Sequence, residues 1–302
     1  MQDTPWLKYI VSPLSLRART FNLFRYRVDL TRYVRMRRQS GMLRMFKPRH
    51  TPVYNVRLNG LPAYKVVPQG APEAKVIFVL HGGGFVLGGG EYCRLAAVNI
   101  ARATGYMAVS VDYALAPEHP FPAGLDDAFN AYNALISQGI LPSDIVFYGD
   151  SAGGGLCLSL CHRLKGQGLP LPAAIIALSP ATDLTGAGES RTSKASVDRL
   201  FSKGVNGVAE LYAPGRDLKD PLISPLYGDF TGFPPLRIFV GENEILLSDS
   251  VDVAQKAYGQ GVDVLVQVWA GMFHVFPAAA GFIPEGRRAL REIAEYIKEK
   301  LG

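Results

Sequence analysis

Cysteine is scarce: Cys93, Cys157 and Cys161 are the three in 302 residues. An odd, sparse set argues against a disulfide framework and suits a reducing cytoplasm. Cys157 and Cys161 stand four apart with His162 adjacent, but zinc takes three or four ligands and no other Cys or His lies close in sequence. Buried helix thiols are the reading, with no metal and no organic cofactor. Long apolar runs are missing too. None approaches the roughly 18 residues that span a bilayer, and the N-terminus lacks the compact apolar stretch and small-residue cleavage site of a secretory signal. Internal repeats and low-complexity segments are absent. Acidic residues are nearly missing from one region, since residues 1–50 carry twelve Lys/Arg against Asp3 and Asp29 alone. Such a basic arm suits anionic lipid, nucleic acid or a transit peptide. Against that, Trp6, Leu7, Ile10, Val11, Leu14 and Leu16 alternate with the charges as an amphipathic helical cover does. No aromatic-and-glycine signature of nucleic-acid binding accompanies them. The arm therefore reads as a solvated pair of helices, without nucleic acid or stable membrane insertion.

What is present is apolar content of 48% against 19% charged residues, enough for a packed core. The length suits one large α/β domain with a small accessory element. Segments 53–58 and 61–66 alternate around Asn59-Gly60, the pair favoured by two-residue hairpins. Short apolar runs follow at 76–80, 107–111, 145–148, 174–178, 236–240 and 264–269. Helix-length amphipathic segments separate them at about 91–104, 123–138, 152–165, 249–259 and 285–301. This alternation predicts an α/β fold: a mainly parallel eight-stranded sheet, helices on both faces and the hairpin antiparallel at one edge. Residues 183–235 break the rhythm with little β signal, much Gly and Pro, and a helical patch near 196–212, far beyond an ordinary loop. The predicted organisation is a helical cap segment over 1–50, a catalytic domain over 51–182 and 215–302, and a cap insertion over 183–214.

Gly149-Asp150-Ser151-Ala152-Gly153 is a G-x-S-x-G between a strand and a helix. Ser on so sharp a turn becomes an exposed nucleophile, the glycines let neighbouring backbone approach, and the helix N-terminus faces developing negative charge. His81-Gly82-Gly83-Gly84-Phe85 follows the strand 76–80. Its amides reach an oxyanion without side-chain obstruction, and such donors lower a barrier by about 2.7–4 kcal/mol each. A glycine-rich loop also suits phosphate, but no Gly-Lys-Ser/Thr follows. Gly83 and Gly84 are the expected oxyanion donors, with the Ala152 amide as a third and His81 orienting the loop. The base must follow the nucleophile in chain order Ser, acid, His. Of His50, His81, His119, His162 and His274, only His162 and His274 do. His162 lies three helical turns beyond Ser151 and points away, which leaves His274, after the strand 264–269. The acid belongs on the loop after 236–240, which offers Glu242, Glu244 and Asp249. Asp249 adjoins a helix start, where an N-cap role suits it.

These blocks, with Tyr113-Ala-Leu-Ala-Pro-Glu118, Asp220-Pro-Leu-Ile-Ser-Pro225 and Gly271-Met-Phe-His-Val275, resemble the bacterial hormone-sensitive-lipase-like esterases from about residue 55 to the C-terminus. The resemblance implies an acid at Glu244, in a Gly-x-x-Asp/Glu-x-Leu pattern where most members carry Asp, with Glu242 nearby in support. It implies hydrolysis of short- to medium-chain acyl monoesters by Ser151, His274 and Glu244, in a pocket to which Phe85, Val86 and Leu87 could contribute. It also implies a homodimer through 264–269 and the C-terminal helix. Two rival functions stand beside it: an amidase or deacetylase using the same triad, and a non-catalytic small-ligand receptor on the same scaffold. In such receptors the base is typically lost, and here His274 stands in its motif.

Overall fold

Runs of β-branched and aromatic residues without polar alternation need apolar surroundings on both faces. In the computed structural model, which describes residues 4–11, 14–21, 51–201 and 207–302, four such runs are buried end to end. They are β4 (Val76–Leu80), β5 (Met107–Val111), β6 (Ile145–Asp150) and β7 (Ala174–Leu178). With β1 (Leu7–Ile10), β2 (Val53–Leu58), β3 (Leu61–Val66), β8 (Leu236–Gly241) and β9 (Val264–Trp269) they form one sheet, in the order β1-β9-β8-β7-β6-β4-β5-β3-β2. Pairing is parallel from β1 to β5 along that order and antiparallel at β5-β3-β2. Asn59 and Gly60 both hold positive φ, 48° and 85°, as the tight β2–β3 turn demands.

The two faces carry separate cores. Phe78 and Phe147 meet at 5.4 Å on one face, with Tyr132 of the helix Ala123–Ser137 edge-on to Phe147 at 5.3 Å. Ile77, Val79 and Val146 point the other way, against helices Glu91–Thr104 and Pro284–Leu301. Fully burying side chains of this size stabilises the fold by about 1.5–3 kcal/mol each.

Among the described residues nine strands stand where eight were expected. The extra one comes from the arm predicted to be helical: Leu7–Ile10 is a strand parallel to β9, with Val266 N–H donating to the Trp6 carbonyl and Ala270 N–H to that of Ile10. The physical reason is the edge of β9, whose unpaired amides and carbonyls are satisfied by any extended neighbour. Four residues are also too few to separate helical from strand periodicity. Residues Leu16–Phe21 are helical as expected, and Ser15 is anchored by its amide and hydroxyl to Glu285. The rest of the basic arm, residues 22–50, lies outside the described residues. Because β1 covers β9, the strand Val264–Trp269 has no open ladder for a partner subunit. In the insertion, helices cover Ser190–Ser193 and Val208–Tyr212, less than the predicted patch, and residues 202–206 lie outside the description.

The strand order reverses at β4: the chain steps to β5 on one side and returns to β6 on the other. Ligands of open parallel sheets sit at such a point, outside the carboxyl ends of the strands. Leu80 of β4 stands opposite Gly149 of β6, so the register alone brings the loop after one beside the turn after the other.

Candidate active site

Ser151 occupies the turn between β6 and the helix Ala152–Gly166 with φ 53° and ψ −120°. A non-glycine residue there is strained by about 1–3 kcal/mol and persists only if its surroundings fix it. They do. The Ser151 amide donates to the Leu178 carbonyl at 2.7 Å, and its carbonyl accepts from Gly155 and Ala181. A Cβ at Gly153 would lie 2.0 Å from the Leu80 carbonyl oxygen, and one at Gly149 would lie 2.4 Å from that of Gly153. Only glycine permits this closeness. Ala152 begins the helix, among the amides that a helix leaves unpaired at its N-terminus.

The loop after β4 is held from behind. Gly83 and Gly84 have φ of 119° and 62°, and the Val86 and Leu87 amides turn back to the Gly83 carbonyl. His81 is fully buried, stacks on Tyr113 at 4.1 Å, donates from Nδ1 to the Gly82 carbonyl, and accepts the Tyr113 hydroxyl on its own carbonyl. Burial holds its imidazole below the usual histidine range. Asp150 accepts the Gly82 amide at 3.0 Å and the Tyr92 hydroxyl at 2.5 Å, so it braces the loop.

His274 and Glu244 come together across the ends of β8 and β9. His274 Nδ1 lies 2.8 Å from Glu244 Oε2, and both side chains are almost wholly buried. Glu244 Oε1 accepts the Gly241 amide at 2.5 Å and the Ser179 hydroxyl at 2.8 Å, while Ser179 Oγ accepts the Val275 amide at 3.0 Å. Burial works to lower the His274 pKa, but the Glu244 hydrogen bond and charge, with Asp198 and Asp150, outweigh it and leave the imidazole above its ordinary value. The other acid candidates are engaged elsewhere. Glu242 accepts the Tyr9 hydroxyl and the Gly271 amide, next to β1. Asp249 sits inside the first turn of Leu247–Gly259, whose cap position is Leu246. Rather than capping its own helix, it takes the Thr182 and Asp183 amides and the Arg191 guanidinium. Burial raises its pKa to about 6. His162 packs against Phe230 and Phe233 and reaches the Pro225 carbonyl, away from Ser151.

A cavity of about 1060 Å³ unites these groups: Ser151, His274, Gly83 and Gly84 line it. Its remaining wall is largely apolar, with Leu184, Leu200, Phe201 and Val208 from the insertion and Phe273 beside the base. Phe85 and Leu87 contribute, whereas Val86 turns into the core. Of possible metal ligands, one set gathers among the described residues: a His81 ring nitrogen, Cys93 Sγ and an Asp112 oxygen within 4.8 Å of one another. Cys93 already pairs with Ser110 and Asp112 with the Gly90 amide. Cys157 and Cys161 are free and buried. Sequence reading missed Ser179 and Asp198. Ser179 directly follows β7, the strand beside the nucleophile's, a position that carries a signal in this topology; Asp198 carries none.

The chain belongs to the α/β-hydrolase fold family, whose model matches residues 77–278. Within it, this protein is one of the bacterial hormone-sensitive-lipase-like esterases, a carboxylic ester hydrolase. It is 38% identical to an esterase of Acinetobacter venetianus across 80% of each chain, and 36% identical to an acetyl-hydrolase of Streptomyces hygroscopicus across 76% of this chain and 77% of that one. The crystal structure of an esterase from the bacterial hormone-sensitive lipase family superposes with a TM-score of 0.88 at 36% identity, covering 96% of this chain and 100% of the other. EstE5, soaked with p-nitrophenyl butyrate, gives 0.88 at 36% identity over 95% and 99%. Among the described residues no helix is long and apolar enough to cross a membrane.

Proposed function

We propose that this hydrolase cleaves short- to medium-chain acyl monoesters through Ser151, His274 and Glu244. His274 takes the hydroxyl proton as Ser151 Oγ attacks the ester carbonyl, and Glu244 fixes the imidazole tautomer and stabilises the imidazolium. The amides of Gly83, Gly84 and Ala152 bind the oxyanion. The tetrahedral species collapses, His274 hands its proton to the departing alcohol, and the acyl group stays on Ser151. Water, deprotonated by His274, then attacks the acyl carbonyl; the carboxylic acid leaves and the Ser151 hydroxyl is restored. The observation that carries this reading is the 2.8 Å contact between His274 Nδ1 and Glu244, which turns the other ring nitrogen free for proton transfer in a cavity shared with Ser151.

The size and apolar wall of the cavity support an acyl or alcohol group of a few to about ten carbons. Acetyl-hydrolase relatives and a neighbour soaked with a butyrate ester point to the short end. The insertion 183–214 acts as the cap, consistent with its share of the cavity wall. The three free thiols suit a cytoplasmic enzyme. A homodimer through the C-terminal helix, rather than through the β9 ladder, goes with this reading and is read by sedimentation velocity.

The test is p-nitrophenyl ester hydrolysis from acetate to laurate by wild type and Ser151→Ala, with a matched anilide. The expected result is a maximum at six carbons or fewer, anilide turnover at least a hundredfold slower, and a loss of about 10⁴-fold or more in the variant. Equal ester turnover by the variant would refute the nucleophile; equal anilide turnover would make the enzyme an amidase.

A further inference from the structure

Asp198 lies in the insertion, 46 positions before Glu244, yet it is buried with 2% exposure. Its Oδ1 accepts the Leu200 and Phe201 amides at 2.9 and 2.8 Å, and its Oδ2 accepts the Ile245 amide at 2.9 Å. Three backbone donors thus replace the water it has lost, which a buried carboxylate requires. The residues it grips are telling. Ile245 directly follows Glu244. Leu200 and Phe201 line the cavity, and the Phe201 ring meets the His274 imidazole edge-on, centroids 4.9 Å apart. A closed circuit results: Asp198 fixes Phe201, Phe201 packs on His274, His274 bonds Glu244, and the chain after Glu244 returns to Asp198.

We propose that Asp198 is a positioning residue for ester hydrolysis, a second buried carboxylate that clamps the cap segment to the acid loop and helps stabilise the charged form of His274. The proposal rests on the reading of Ser151, His274 and Glu244 given above. Three carboxylates from three elements favour the charged imidazole: Glu244 on the loop after β8, in direct contact, then Asp198 from the insertion and Asp150 at the turn after β6, through their charge. Burial opposes the imidazolium that forms when Ser151 gives up its proton. Fixed negative charge nearby offsets that cost at no reorganisation. Asp198 therefore ties the closure of the cavity to the strength of the base, so that His274 works best with the cap in place.

The experiment measures kcat and KM for p-nitrophenyl butyrate against pH in the full chain, for wild type, Asp198→Asn and Asp198→Ser. Asn removes the charge with little change of shape. Ser keeps a short side-chain acceptor for the Leu200 and Phe201 amides but carries no charge and does not reach Ile245, and it guards against a folding failure of the Asn form. The expected result is a kcat about tenfold lower, KM within about threefold, and the acid limb of kcat/KM moved down by about half a pH unit or more in both variants. A limb at the wild-type pH with kcat within twofold would overturn the proposal. So would a change in KM alone, which would make Asp198 a packing residue of the cap. Failure of the triad reading is distinguishable, because it shows as full activity in Ser151→Ala whatever Asp198 does.

Discussion

Ser151 holds backbone angles that most residues avoid, and His274 holds a charge balance that burial alone would not give it. Both depend on particular neighbours. Glu244 offers one oxygen to His274 and keeps the other on Ser179 and the Gly241 amide, so its carboxylate has no rotational freedom left to lose. Because the Glu244 hydrogen bond and charge raise the His274 pKa above the ordinary histidine value, the acid limb of kcat/KM in the wild type is expected at higher pH than for a free imidazole, activity rising as the imidazole loses its proton. Glu244→Gln keeps the shape but removes the charge and permits the wrong tautomer. A fall in kcat of about 10⁴-fold, with the limb moved to lower pH, is expected from stopped-flow or steady-state profiles. A variant within tenfold of wild type would reassign the acid. Ser151, His274 and the glycine loop were legible in sequence because each sits in a local pattern whose spacing is set by one turn. Glu244 was legible only through family resemblance, since Glu242 and Asp249 satisfied the same rough position. Ser179 and Asp198 were not, because their partners lie 65 and 47 positions away and no local periodicity encodes such a meeting.

At the scale of elements, the parallel strands and their helices followed from unbroken apolar runs alternating with amphipathic segments. The first strand did not, because Leu7–Ile10 becomes a strand only by virtue of the β9 edge, a tertiary cause. The insertion was visible as a departure from rhythm, but its local structure was not, since Gly, Pro and short polar stretches leave tertiary contacts to decide. The junction of β4, β6 and the helix Ala152–Gly166 is packed backbone against backbone, with Gly153 pressed against the Leu80 carbonyl. Gly153→Ala must push backbone against backbone. A destabilisation of about 3 kcal/mol or total loss of folding is expected, read as the shift of the urea midpoint, with activity lost from the fraction that folds. A shift below about 0.5 kcal/mol would mean that β4 and the helix are not locked together as described.

At the scale of the whole molecule, pH acts on stability through two histidines of opposite sign, one half-buried and one buried. His162 packs against Phe230 and Phe233, and burial lowers its pKa to about 4. Unfolding would restore a value near 6.5, so the unfolded chain binds the proton more readily. Its contribution to stability is complete above pH 6.5 and lost as the pH falls toward 4, by roughly 2–3 kcal/mol. His274 runs the other way, its contribution being present below pH 6.5 and lost as the pH rises through its elevated folded value. Urea midpoints between pH 7 and 4 are therefore expected to fall with acid in the wild type and to fall less in His162→Phe. An identical slope in both would place the acid sensitivity elsewhere.

The central claim is a covalent one: the acyl group passes through Ser151, made nucleophilic by His274. Acid-quenching the enzyme during turnover of p-nitrophenyl butyrate, followed by peptide mass spectrometry, tests it directly. A butyryl group on the peptide carrying Ser151, absent from Ser151→Ala and from His274→Ala, is the predicted result. An adduct on another residue, or undiminished turnover with Ser151 never acylated, would contradict it.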